Sequence, residues 1–233
     1  MGKKYLFIGG SYGIGKSILQ ELNPSDEVWV ASRTSEGLDG PNIHHIPFDV
    51  LSDSLPLDKL PAHLDGLVYC PGSINLRPFR GLKPEAFTSD FEINVMGAVR
   101  TLQQVQPLLV ASEQASVVLF STVAVQTGMP FHASVAAAKG ALEGLGRSLA
   151  AEWAPKVRVN VIAPSITDTP LANRFLNNDA KKEKAALRHP LKRVGTTKDV
   201  AQLAAFLLSE KSSWMTGQVL GLDGGMSALN VQG

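Results

Sequence analysis

The chain of 233 residues reads as a doubly wound α/β domain, a seven-stranded parallel sheet with helices on both faces. Three observations lead there. Short apolar, β-branched runs alternate with helix-length segments along the whole chain, the pattern of successive βαβ units. The first such run leads straight into a glycine-rich turn that opens an amphipathic helix. No repeat, low-complexity tract or polar linker divides the chain, whose length suits one domain with a substantial core.

Strands are expected at Lys4–Ile8, Glu27–Ala31, Ile43–Phe48, Gly66–Tyr69, Val117–Ser121, Val157–Ile162 and Gln218–Leu222. Helices fill most of the gaps. Ile14, Ile18 and Leu22 recur at every fourth position, and Val200, Leu203, Ala204 and Leu207 form another one-faced stripe, which Thr196 with Asp199 fits as a cap. Residues 32–42 are too few and too rich in Gly, Ser and Pro for a crossover helix, so a loop is expected. Between Ala133 and Trp153 runs an alanine-rich helix with glycines at 140, 144 and 146. A mid-helix glycine costs about 1 kcal/mol relative to alanine, so close packing against the sheet or a second subunit is expected to compensate.

The composition narrows the function classes. With 18% charged residues and a formal net charge of +1, nothing calls for nucleic acid or an anionic membrane surface. Cys70 is the single cysteine, which excludes an intramolecular disulfide and a cysteine-based metal cluster. His44, His45, His63 and His189 lack metal-ligand spacing and read as surface or loop residues, so no metal site is expected. The first residues lack the long apolar region of a secretory signal, and Leu6 stands where a myristoylation pattern needs Ser or Thr. A cytoplasmic location is the expectation.

Gly9-Gly10-Ser11-Tyr12-Gly13-Ile14-Gly15 lies between the first strand and its helix. Residues without Cβ reach positive φ and let backbone amides approach a diphosphate at the positive end of a helix. A dinucleotide site is expected here, with Gly9, Ser11, Tyr12, Gly13, Ile14 and Gly15 as contacts. An acidic residue at the end of the second strand would bond a free ribose 2′-hydroxyl and repel a 2′-phosphate. Ala31-Ser32-Arg33 stands there instead: Arg33 offers a guanidinium to stack on adenine and pair with phosphate, and Ser32 a neutral donor. NADP(H) is therefore expected over NAD(H), against the plainer reading of Arg33 as a solvated surface residue.

The glycine spacing resembles the motif of the short-chain dehydrogenase/reductase family, and further resemblances run nearly the whole length. Asp49-Val50 is similar to the family's adenine-contacting pair, Asn94 to the helical Asn that helps hold a proton-relay water, and Lys139 to the ribose-binding Lys. Arg158-Val159-Asn160-Val161-Ile162-Ala163-Pro164 followed by Thr169 resembles the strand and loop beside the nicotinamide. Thr216-Gly217-Gln218 and Asp223-Gly224-Gly225 resemble the last strand and its turn. The family's Asn-Asn-Ala-Gly stretch is altered to Tyr69-Cys70-Pro71-Gly72, and Ser165 replaces the usual Gly after Pro164.

The resemblance implies a Rossmann-type fold in one domain, residues 1–233, with its cofactor-binding part in about 1–160 and substrate-facing loops in about 72–84 and 165–195. It adds Asp49, Val50, Pro71, Gly72, Lys139, Pro164 and Thr169 to the cofactor contacts, and implies a homodimer or homotetramer through the Ala133–Trp153 helix.

The family's catalytic pattern sets a Tyr four residues before the Lys and a Ser thirteen residues before that Tyr. Positions i and i+4 are neighbours on a helix face, so the ammonium lowers the phenol's pKa while the Ser hydroxyl orients a carbonyl. Here those positions hold Val135 and Thr122. Thr122 donates a hydrogen bond as Ser does, but valine moves no proton, and Tyr5, Tyr12 and Tyr69 are remote from Lys139 in sequence. His132, seven residues before Lys139, falls about 20° short of two helical turns and shares the lysine's face if the helix reaches that far. The spacing is similar to that of the Tyr in the enoyl reductase branch of the same superfamily. Two readings of His132 stay open, a proton donor or a partly exposed residue at a helix start.

The expected function is reduction of a carbonyl or enoyl group on a small molecule, with NADP(H) and an altered proton donor. Lys139, Thr122, Asn94 and His132 form the catalytic set. The alternative is an NADPH-binding sensor, or a non-catalytic subunit of an oligomer. Residues 166–194 are long enough for a helical lid with Leu171, Phe175 and Leu176 as apolar contacts. The lid's surplus of Lys and Arg fits an acyl carrier or phosphorylated substrate, or simply a solvated charged helix. Cys70 reads as a packed residue rather than a reactive thiol.

Overall fold

The computed structural model describes residues 2–230. Among them the strands are β1 (Lys4–Ile8), β2 (Glu27–Ser32), β3 (Ile43–Pro47), β4 (Gly66–Tyr69), β5 (Ala115–Phe120), β6 (Val157–Pro164), β7 (Thr167–Asp168), β8 (Gly195–Thr196) and β9 (Val219–Leu222). Seven form one sheet in the order β3-β2-β1-β4-β5-β6-β9, every neighbouring pair parallel, while β7 and β8 pair separately. The seven expected strands all occur, the main shifts being that β5 begins at Ala115 and β6 runs on to Pro164. Residues 33–42 contain no helix, as their composition implies.

The helices are α1 (Gly13–Glu21), α2 (Pro84–Phe91), α3 (Gly97–Val110), α4 (Ala124–Thr127), α5 (Ala133–Trp153), α6 (Asn173–Leu176), α7 (Asp179–Ala186) and α8 (Thr197–Leu208). Alternate residues of a strand point to opposite faces, which divides β1 between two cores. Leu6 and Ile8 share one core with Leu102 and Leu109 of α3 and Leu142 of α5. Tyr5 and Phe7 share the other with Ile18 of α1 and Val200, Ala204 and Leu207 of α8. Strand order reverses between β1 and β4, which opens a crevice beyond their carboxyl ends.

α8 is fixed at both ends. Asp199 N donates to Thr196 Oγ1 at 3.1 Å and Thr196 N to Asp199 Oδ2 at 2.8 Å, a reciprocal cap. At the other end the buried Arg158 of β6 donates to the carbonyls of Leu207 (2.9 Å), Ser209 (3.2 Å) and Ser212 (2.9 Å), a cation placed where helix carbonyls lack partners. Among the described residues no helix is long and apolar enough to cross a membrane.

The three α5 glycines differ in surroundings. A Cβ at Gly146 would lie 2.9 Å from Val161 Cγ2 of the sheet, whereas one at Gly144 meets nothing within 4 Å. Gly146 is therefore explained by helix–sheet packing, and Gly144 is not. Gly144→Ala is expected to raise unfolding free energy by about 0.5–1 kcal/mol through helix propensity. Gly146→Ala is expected to lower it by about 1–3 kcal/mol through overpacking. Urea unfolding of the two variants checks this, and equal effects would refute the assignment.

Candidate active site

β1 delivers the glycine turn to the crevice. Gly13 opens α1 with φ +62°, and a Cβ at Gly15 would stand 2.7 Å from Gly10 Cα and 3.1 Å from Cys70 Sγ. Larger residues there would push the helix off the strand. The cap residue Tyr12 gives no side-chain hydrogen bond and the first turn holds no acid, so the leading amides of α1 are open to an anion.

A cavity of about 270 Å³ begins at this turn, with Ser32, Arg33, Asp49 and Val50 along one side and Pro71, Gly72 and Thr169 along the other. All the cofactor contacts expected from sequence line it except Lys139 and Pro164, which line the adjoining cavity. The Ser32 hydroxyl donates to Thr34 O at 2.7 Å and so helps hold the turn after β2. Ser11 and Thr34, whose hydroxyl oxygens lie 2.8 Å apart, supply polar atoms nearby.

The adjoining cavity, about 440 Å³, shares Ile14, Cys70, Gly72, Thr169 and Leu171 with the first, so the two are continuous. Thr122 lines it just beyond β5, and His132, Val135 and Lys139 line it along α5. Lys139 is buried and donates from Nζ to Phe120 O at 2.7 Å. Burial pulls its pKa down to about 8, with Cys70 and Asp90 acting in the opposite direction. An ammonium has three protons to give, and among the described residues Phe120 O is its single protein acceptor.

Asn94 sits in a π-helical stretch, Glu92–Met96, between α2 and α3. Its Nδ2 donates to Asp90 O (2.7 Å) and Ser73 Oγ (3.0 Å), while its fully buried Oδ1 has no partner. A Cβ at Gly72 would be 3.2 Å from that Oδ1 and 3.5 Å from Lys139 Nζ, so the spare acceptor and the underused donor both face Gly72. Asn94 thus supports the helix irregularity with its amide nitrogen and turns its oxygen toward the lysine's neighbourhood.

His132 is the cap residue of α5, which begins at Ala133, one residue short of what the spacing argument assumes, yet it lines the same cavity as Lys139. Its Nδ1 lies 2.7 Å from Pro130 O; because a carbonyl only accepts, Nδ1 carries the proton. Nε2 of the neutral ring is then an acceptor, and the ring donates from Nε2 only as imidazolium. No tyrosine lines the larger cavity. The buried Tyr69 donates to Ile93 O at 2.6 Å, and loss of hydration raises its pKa well above the ordinary phenol range. Loss of hydration likewise pushes the Cys70 thiol up to about 12, which suits a packed residue.

Several features were missed or misjudged in the sequence. His189, expected as a surface or loop residue, lies in the loop after α7 but is buried, with Nδ1 2.9 Å from Ala185 O and Nε2 2.7 Å from Ser165 Oγ. The carbonyl again fixes the tautomer, so Ser165 donates to Nε2 of the neutral ring and ties the end of β6 to the lid. Ser165 in place of glycine was the available signal, but its partner lies 24 positions away. Asp90, also buried, accepts from Ser73 Oγ (2.5 Å) and Asn75 Nδ2 (2.7 Å). Leu171 and Phe175 line the cavity as expected, whereas Leu176 is buried elsewhere in the lid. Of residues 72–84 only Gly72, Ser73, Ile74 and Leu76 line it.

Fold and site together define a Rossmann-type α/β domain with a lysine-bearing helix beside a switch-point cavity. The family described as Enoyl-(Acyl carrier protein) reductase matches residues 57–227. L-xylulose reductase of Bos taurus is 32% identical over 238 residues, 97% of each chain. A protein of Xanthobacter autotrophicus described as inactive 2-(S)-hydroxypropyl-CoM dehydrogenase 2 is 34% identical over 171 residues, 71% of this chain and 74% of its own. The structure of ElxO with NADP bound aligns with a TM-score of 0.89 and 26% identity, over 98% of this chain and 100% of that one. The chain belongs to the short-chain dehydrogenase/reductase family.

The depressed pKa of Lys139 has a consequence for stability. The unfolded chain, with the ordinary value of 10.5, binds this proton more tightly than the folded chain does. The penalty for burying the charge is therefore complete below about pH 8 and is relieved as pH rises to 10.5. Unfolding free energy of wild type relative to Lys139→Met is expected to climb by on the order of 3 kcal/mol across that window and to stay flat below it. Paired denaturant titrations at each pH measure the difference, and a flat profile throughout would contradict a buried ammonium.

Proposed function

We propose that the protein is an NADPH-dependent oxidoreductase that reduces a carbonyl or conjugated enoyl group of a small molecule, using a proton donor other than tyrosine. The observation that carries this reading is that Lys139 and Thr122 share one cavity wall, continuous with the glycine-turn cavity. The residues fit a pyridine dinucleotide. The open amides of α1 suit its diphosphate, and the Gly15 contact leaves that approach clear of side chains. The two unfilled donors of Lys139 suit a ribose diol. Arg33, at the edge of the smaller cavity, suits a 2′-phosphate, and ElxO, of similar fold, is a protein with NADP bound.

When bound, the reduced nicotinamide supplies a hydride to the carbonyl carbon or its conjugated position. Lys139 holds the ribose and so sets the distance of approach. Thr122 Oγ1 donates to the substrate oxygen as negative charge develops there, and Asn94 Oδ1 accepts from a water near Lys139. Val135 contributes only an apolar wall. His132, as imidazolium, hands its Nε2 proton to the substrate oxygen, or water does so in its place. On this reading the cofactor part spans about 1–160 and the substrate loops about 72–84 and 165–195. The protein acts in the cytoplasm as a homodimer or homotetramer joined through α5, whose Gly144 face is open.

A second reading has one specific observation behind it, Val135 at the tyrosine position: a nucleotide-binding sensor or subunit without hydride chemistry. One similar chain, the Xanthobacter relative, is likewise described as inactive.

Fluorescence titration is expected to give at least tenfold tighter binding of NADPH than NADH, and Arg33→Ala is expected to erase most of that preference. A preference for NADH would overturn the assignment. With a panel of ketones and enoyl thioesters, His132→Ala is expected to lower kcat by roughly 10²-fold with little change in nucleotide affinity. Unchanged turnover removes His132 from the mechanism. Appearance of reductase activity only in Val135→Tyr would favour the second reading.

A further inference from the structure

α7 and the turn after it present one face to the larger cavity. Lys181, Lys184, Ala185 and Arg188, spaced i, i+3, i+4 and i+7, all line it. A lid helix closing over a wholly apolar substrate would turn large apolar residues inward; this face holds three cations and an alanine. The helix's acids, Asp179 and Glu183, lie off that face, and among the described residues no Asp or Glu lines the cavity. Lys182, also off the face, has a partner in Asp168 at 2.8 Å. Among the described residues neither Lys184 nor Arg188 has a carboxylate within 4.0 Å. Lys181 is held by neutral oxygens, Asn177 Oδ1 at 2.8 Å and Arg174 O at 3.2 Å. The chain as a whole carries a formal charge of only +1, so this surplus is local.

Between the cationic rim and Thr122 the walls are apolar, with Leu76, Met129, Val135, Phe175 and Met226 among them. A solvated helix face intermixes both signs of charge, whereas cations without counter-ions beside low-dielectric walls focus field on whatever enters. We infer that the cavity takes a carbonyl substrate bearing a carboxylate or phosphate at the end remote from the reacting group, with the oxoanion held by Lys184 and Arg188. This rests on the reduction proposed above and names its substrate class. A guanidinium pairs with either oxoanion through two parallel N–H bonds, and the neighbouring ammonium adds a point charge.

The test uses a matched pair of aldehydes, 4-carboxybenzaldehyde and its methyl ester, with NADPH and the full chain. At low salt kcat/KM is expected to be at least tenfold higher for the carboxylate, mainly through KM, with the advantage shrinking as salt is added. Replacing both cations, Lys184→Met with Arg188→Met, is expected to collapse the ratio between the two substrates toward one; Met keeps the length and helix propensity of the side chains. Equal use of both aldehydes by the wild type overturns the inference and leaves the reduction standing. If neither aldehyde is reduced although NADPH binds, calorimetry with monomethyl terephthalate, an anion with no reducible carbonyl, decides separately. Binding lost in the double variant supports the anion site while the reduction fails; no binding to wild type overturns the inference as well.

Discussion

The site depends on α5 being pinned to the end of β5 by buried polar bonds. Lys139 Nζ donates to Phe120 O at 2.7 Å, and one turn further on Ser121 Oγ donates to Glu143 Oε1 at 2.6 Å. Both helix residues are almost fully buried, so neither bond competes with water, and each is stronger for that. The register they enforce brings Thr122, the next residue along the chain, into one cavity lining with Val135, His132 and Lys139. Small residues fill much of α5, and its bulkier buried side chains, Leu142 and Trp153, add packing to these two bonds.

Placing charge and amides in such a setting is costly, and the surroundings only partly relieve it. Asp90, Asn94 and Lys139 are all buried, yet Asp90 Oδ2 and Asn94 Oδ1 have no hydrogen-bond partner and Lys139 has one. Among the described residues two further buried side-chain atoms lack a partner, Ser134 Oγ at the start of α5 and Arg158 Nε on β6, while other buried side chains follow the ordinary rule that polar groups are satisfied. Where α2, the π-helical stretch and α5 converge near Gly72, three under-partnered groups lie together. Concentrated local rule-breaking of this kind marks functional sites, because the groups left short of partners are the ones able to take new ones.

The fold was legible because its signals are local. Strand periodicity, the glycine turn and the Thr196–Asp199 cap each lie within a few residues, and each is satisfied by neighbouring backbone. Most of the residues that line the smaller cavity were legible for the same reason, since they follow strand ends in order. What escaped depends on pairs far apart in sequence. Ser165 and His189 meet across 24 positions, and Asp90 and Ser73 across 17. No composition or spacing argument reaches such pairs, so the burial of His189, read as a surface or loop residue, was not foreseen. His132 lies between these cases, since the period of a helix set its face but not the tautomer fixed by Pro130 O.

Valine at position 135 changes what the lysine is for. In the family's pattern the ammonium has a phenol beside it whose proton it helps release; here the neighbouring side chain is aliphatic and buried, and offers no acceptor. Of the lysine's three protons one goes to Phe120 O, and the rest point into a space bounded by Gly72 and Asn94. Desolvation has already drawn its affinity for the proton toward neutrality, so any ligand bringing hydroxyl oxygens stabilises the charged form as it binds. Nucleotide binding and lysine protonation are thereby linked in one direction, each favouring the other. Loss of the phenol strengthens that link, because no protein hydroxyl competes for the same two donors. Valine at 135 therefore leaves no phenol at that position of the helix, while both of the lysine's open donors are retained.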